Sequence, residues 1–197
     1  MTNRREFLKG AAALSLMAAP LRAAWAAAAP LLELERLVFD VRFAESAAIA
    51  AHAERLGIRL SPIADDLMSL WYDELDLAWR KAPMALGGVT LADAFFVLET
   101  FARDRNMHVV YRGEHGLVEN GRITHRLAGP EPLIERLSPL PEAWEQALAS
   151  ALTECPLGTP PIAQAELVTG GAEISLRDVP LYSWIIAPRS AVASRVS

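Results

Sequence analysis

The stretch from Leu37 to Ile63 constrains the fold more than any other part of the chain. Leu37-Val38-Phe39-Asp40-Val41-Arg42-Phe43 is rich in branched and aromatic residues and reads as a strand. Glu45 and Ser46 open a helix-forming run from Ala47 to Leu56, with Ile49, Ala53 and Leu56 near one face. Gly57 supplies a stop, because only glycine takes the left-handed turn beyond a helix at no steric cost. Ile58-Arg59-Leu60 with Pro62-Ile63 reads as a second, short strand. A strand, a helix and a strand in so short a span form a βαβ unit, whose strands run parallel.

The same alternation continues. Asp65-Asp66 is a helix start, and Leu67 to Lys81 carries Leu67, Leu70, Trp71 and Leu75 at helical spacing. Asp76 interrupts the stripe, since Leu77 and Trp79 fall off it, and Pro83 ends the element. Met84-Ala85-Leu86 steps into a Gly87-Gly88 turn, and Thr90 with Asp93 resembles a capping box. Leu91 to Asn106 reads as a helix with Leu91, Phe95, Leu98 and Ala102 on one face, followed by a strand from Met107 to Arg112. The order predicts an α/β fold with an open, mostly parallel sheet of Rossmann-like or flavodoxin-like type.

The character changes after Gly113, and nine of the 13 prolines fall between Pro130 and Pro188. Pro141 suits a first helical position, so 142–153 reads as a helix. Ala165 to Thr169, Gly170-Gly171 and Ala172 to Leu176 form a hairpin signature, and Leu181 to Ile186 a last strand. The expected organisation is a leader over 1–26 and a single α/β domain over 27–187. Within it, a proline-rich C-terminal β extension starts at about 117, and a disordered tail covers 188–197.

The leader has three parts of a secretory signal. Arg4, Arg5 and Lys9 supply the charge, Gly10 to Ala19 is apolar apart from Ser15, and Ala24-Trp25-Ala26 is a small-x-small cleavage site. The apolar run is shorter than the roughly 20 residues of a spanning helix. Arg4-Arg5-x-Phe7-Leu8-Lys9 resembles the twin-arginine (Tat) export signal of bacteria, with Asn3 where that pattern prefers Ser or Thr. The resemblance implies passage through the Tat translocase as a folded body, loss of the leader after Ala26, and a periplasmic destination. It also implies a cofactor inserted before export, fast folding, or travel beside a partner such as an oxidoreductase subunit; the cofactor itself is unknown. The remainder resembles bacterial proteins described only by their Tat signal, which implies no activity and no site residues.

Composition excludes some functions. Removing Arg4, Arg5, Lys9, Arg22 and Glu6 from the 19 basic and 24 acidic residues leaves a net charge of about −8. A body this acidic repels nucleic acid and anionic membranes. Cys155 is the single cysteine, which excludes an intramolecular disulfide and a cysteine-ligated iron–sulfur cluster. No second apolar stretch reaches spanning length, so the mature chain is expected to be soluble.

Ligands of open α/β sheets sit beyond the carboxyl ends of the parallel strands. By that rule the edge receives Arg42, Glu45 and Ser46, then Asp65 and Asp66, then Gly87, Gly88 and Thr90, and finally Arg112, Glu114 and His115. A helix N-terminus behind two glycines, flanked by Arg42 and Arg112, would suit a carboxylate or phosphate. The bland readings are a plain turn for Gly87-Gly88, a helix cap for Asp65-Asp66, and surface ion pairs for the arginines. His108, His115 and His125, with Glu114, match no compact metal motif, so no metal site is expected. No serine lies in a G-x-S-x-G elbow, and Cys155 reads as buried and inert. Trp71, Tyr72 and Trp79 read as core, or as a surface for a partner subunit. The functional expectation is a periplasmic accessory or small-ligand-binding protein. Its rival is an enzyme acting on a small anionic molecule through Arg42, Asp65, Arg112 and His115.

Overall fold

The computed structural model describes residues 31–118, 122–140, 143–156, 161–170 and 179–189. The leader, including Arg4, Arg5, Phe7, Leu8, Lys9, Ala24 and Ala26, lies outside them, as do 190–197 and the second arm of the expected hairpin over 172–176.

The βαβ unit forms as the pattern predicts. Strand β1 (Leu34–Asp40) leads into helix α1 (Ala44–Arg55) and strand β2 (Arg59–Ile63), and β1 and β2 pair in parallel. Gly57 ends α1 at φ +88°. Its N–H donates to Glu54 O, and Ile58 N–H donates to Ala53 O, which is the Schellman stop. The 67–81 run is helical but not uniform: α2 (Leu67–Leu70), a π-helical turn over Trp71–Leu75, and α3 (Asp76–Lys81). The wider turn absorbs the break in the apolar stripe, so both Trp71 and Trp79 reach the core.

Strand β3 (Ala85–Thr90) corrects the sequence reading of Gly87-Gly88 as a turn. Both glycines lie inside a fully buried strand that pairs with β1 in parallel. Helix α4 (Ala92–Asp104) follows, and Asn106, two residues beyond its end, takes φ +57°. Strand β4 (Met107–Val118) is twice the length predicted and is the first arm of an antiparallel pair with β5 (Arg122–Pro130). Helices α5 (Glu131–Leu137) and α6 (Trp144–Thr153) come next. Strand β6 (Ile162–Gly170) then pairs with β5, and β7 (Leu181–Pro188) completes the sheet.

The seven-stranded sheet has the order β2-β1-β3-β7-β4-β5-β6. Among the described strands, only β2, β1 and β3 are parallel neighbours; the other four pairings are antiparallel. The expectation of a mostly parallel sheet is therefore corrected to a parallel core continued by antiparallel strands. The physical reason is β7, which enters between β3 and β4 and runs against both. After residue 117, strands β5, β6 and β7 are thus members of the sheet itself.

Two apolar cores hold the layers. Ile49, Ala53, Leu133, Leu137, Trp144, Leu148 and Leu152 from α1, α5 and α6 cover one face of the sheet, against Leu37, Val89, Tyr111, Leu127 and Ile185. Leu67, Leu70, Trp71, Leu75, Trp79, Phe95 and Leu98 from 67–81 and α4 cover the other, against Val38, Leu86, Met107, Trp184 and Ile186. Each buried Leu, Ile, Val, Met or Phe side chain contributes roughly 1.5–3 kcal/mol on leaving water. Trp184 shows why Gly88 is a glycine: a Cβ there would stand 2.0 Å from the indole, whose Nε1–H donates to Thr90 Oγ1 at 3.1 Å.

Candidate functional site

The loops after all three parallel strands meet at one edge. They bring Arg42 from behind β1, Ala64 and Asp65 from behind β2, and Leu91 and Asp93 from behind β3. A cleft of about 270 Å³ opens there between α2 and α4, walled by Ile63, Leu67, Met68, Leu91, Ala94 and Val97. Apolar walls with a few convergent polar groups are what small-molecule sites are made of.

Arg42 sits at the rim with its fork already engaged. Its Nε and Nη2 donate to Asp40 Oδ1 and Oδ2 at 2.9 and 2.6 Å, and its Nη1 donates to Asp65 Oδ1 at 2.5 Å. Donating to the Asp40 carboxylate raises the guanidinium's already high pKa further, so Arg42 stays charged at any ordinary pH. Asp40 is buried, and its Oδ1 also accepts from Arg42 N–H, so this carboxylate is satisfied by one residue. Asp65 and Asp93 remain exposed acceptors beside the apolar walls.

Ser46 lies beneath this edge rather than in it. Its hydroxyl accepts from Asp40 N–H at 3.0 Å and donates to Val89 O at 2.8 Å, pinning the end of β1 to the end of β3. Thr90 is buried, donates to Leu91 O and accepts from Trp184, so it does not cap α4. Asp66 is the helix cap: its carboxylate accepts from Ser69 N–H and hydroxyl, which lowers its pKa.

Four expected site residues are placed elsewhere. Gly87 and Gly88 lie within β3, under Leu34 and Leu37 on one face and Trp184 on the other, so they offer no turn to an anion. Arg112 stands on β4 over the Phe95 ring, 4.8 Å from its centroid, and donates to Glu99 at 3.0 Å. It is absent from the cleft lining. His115 is buried on the opposite face of the sheet under α6.

There His115 joins a second constellation that the sequence reading missed. His115 and His125 are register partners on β4 and β5, and their Nδ1 atoms are 2.8 Å apart. His115 Nε2 lies 2.7 Å from Ser183 Oγ, which lies 3.2 Å from Tyr111 Oη. His125 Nε2 lies 2.8 Å from Thr169 Oγ1. The Trp144 ring covers both imidazoles at 4.9 Å. Burial in this pocket pushes the His115 pKa well down and the His125 pKa to about 4, and holds the Tyr111 hydroxyl protonated. The available signal was the Asn120-Gly121 dipeptide, a turn mark midway between the two histidines in sequence.

Among the described residues, no group of three or more His, Cys, Asp or Glu side chains is placed to hold a metal ion. Cys155 is buried and its thiol is pushed up to about 12, so it is not a nucleophile in the folded protein. Trp71 and Trp79 are core, edge to face at 5.8 Å, while Tyr72 stands exposed beside them in sequence. Among the described residues no helix is long and apolar enough to cross a membrane. No family, no curated protein and no solved structure matches the chain.

Proposed function

We propose that this protein is exported as a folded body by the twin-arginine route and serves in the periplasm as a small-ligand-binding or accessory protein. The export part rests on Arg4-Arg5-x-Phe7-Leu8-Lys9 and the Ala24-Trp25-Ala26 site. Replacing Arg4 and Arg5 by Lys tests it: the unprocessed chain should stay in the cytoplasm, and normal export of that variant would refute it.

The binding part rests on one observation. The cleft touches the loops after all three parallel strands, where Rossmann-like and flavodoxin-like sheets hold their ligands. Its lining favours binding over attack on an anionic substrate. Arg42, the one cation among the described lining residues, is occupied by Asp40 and Asp65. Asp65 and Asp93 accept hydrogen bonds and cannot donate them. The fitting ligand is a small, mainly apolar molecule with a hydroxyl or amine head.

Native mass spectrometry of protein taken from the periplasm tests this reading. The expected result is an adduct of a few hundred daltons on the wild type that Ala94→Trp, which fills the cleft, abolishes. A bare monomer for both would refute the binding role. A complex with a larger chain that survives Ala94→Trp would assign the accessory role to another surface.

A further inference from the structure

Five side chains from four strands form one buried polar line: Tyr111, Ser183, His115, His125 and Thr169. Space for it is built into the sheet. A Cβ on Gly113 would stand 2.5 Å from Ser183 Oγ and 2.6 Å from Tyr111 Oη, and one on Gly129 would stand 3.0 Å from the Tyr111 ring. Larger residues at either position would displace the line.

We propose that this line is an acid-sensitive latch: protonation of the His115–His125 pair loosens β5, β6 and α6 while β1, β2 and β3 stay paired.

The proton count explains the response. Two neutral imidazoles carry two ring protons over four nitrogens. One proton fills the Nδ1–Nδ1 link, and the other sits on one Nε2, so every contact has a donor and an acceptor. A third proton places a cation in a closed pocket. A fourth sets two N–H groups against each other across 2.8 Å.

The surroundings offer the cation little. From β7 the pair meets Ser183, backed by the Tyr111 hydroxyl of β4, from β6 Thr169, and from α6 the Trp144 ring, all neutral. Glu145 follows Trp144 on α6; its pKa is raised by burial and then by Glu45 on α1. Cys155, after α6, is held as a neutral thiol. From α5 the face toward this core is Leu133, Ile134 and Leu137. Glu114, Arg126 and Glu166 pair with one another at the neighbouring positions of the same strands, which alternate to the other face.

The loosening is local because the two ends of the sheet are held differently. β6 pairs with β5 alone among the described strands, whereas β1 and β3 are also buried against 67–81 and α4 in the second core. Opening β5 and β6 frees the imidazoles to take water as a partner and uncovers Trp144.

Segment-resolved hydrogen exchange between pH 7.5 and 4, corrected for intrinsic exchange, tests the latch. Segments 122–130 and 162–170 should lose protection by up to tenfold per pH unit for each proton taken up. Segments 34–40 and 85–90 should hold. The double variant His115→Gln, His125→Gln, which pairs without titrating, should be flat, and His108→Gln should behave as wild type. Loss of protection in all segments together, or the same loss in the double variant, would overturn the proposal. If the double variant does not fold, imidazole NMR of the wild type decides. Signals titrating in step with the loss of protection support the latch, and titration without opening overturns it.

Discussion

His115 Nδ1 and His125 Nδ1 share one hydrogen bond of 2.8 Å across the β4–β5 pair, so one imidazole donates and the other accepts. That bond survives while at least one Nδ1 is unprotonated, and it is lost once both rings are charged. The folded-state pKa of His125 is about 4, below the ordinary value of 6.5. A depressed pKa contributes stability above the unfolded value, and that stability is lost as pH falls from 6.5 toward 4. Urea midpoints at pH 7.5 and 4.5 should therefore differ, by about 2 kcal/mol in unfolding free energy. Equal values would mean that the pair is not held neutral by the fold.

Gly88→Ala should destabilise the protein by about 1–3 kcal/mol, because the new methyl enters the Trp184 ring. Gly170→Ala, with nothing within 4 Å of its Cβ, is the control and should change little. Thermal unfolding of the two variants checks this.

Arg42→Ala should cost roughly 1–3 kcal/mol, since it leaves the buried Asp40 carboxylate without its two side-chain donors. Arg42→Lys should recover only part, because one ammonium cannot repeat the two-pronged contact. Loss from Asp65→Asn should be small, since that carboxylate is exposed. Denaturant titration of the three variants gives the order.

Cys155 should resist maleimide and aromatic disulfide reagents in the native protein. Its sulfur is fully buried and its thiol is pushed up to about 12. Modification should appear only in denaturant, at the rate of unfolding. Rapid native labelling would show that the end of α6 opens on its own.

The parts of the fold that could be read directly are those fixed by neighbours in sequence. Gly57 marks the end of α1 because its backbone angle is a property of that residue. The apolar stripe of α4 and the strand at Met107 follow from local spacing in the same way. Gly87 and Gly88 were misread because their reason lies in Trp184, at the far end of the chain. The antiparallel half was missed for a related cause. Nothing local to Leu181–Pro188 says that this strand slots between β3 and β4.

At the cleft, Arg42 and Asp65 were legible because each directly follows a parallel strand. Arg112 and His115 were not. β4 continues past the point where a strand-end residue was expected, and its alternation sends Arg112 to α4 and His115 to α6.

The place of β7 also sets an order of events during synthesis. Until 181–188 leave the ribosome, β3 and β4 have no common neighbour, and the two halves of the sheet are separate ribbons. Leu86 and Met107 then lack Ile186, and the slot over Gly88 lacks its indole. The nascent chain can form local hairpins and helices early, but it closes its sheet only once β7 has emerged, long after β3 and β4.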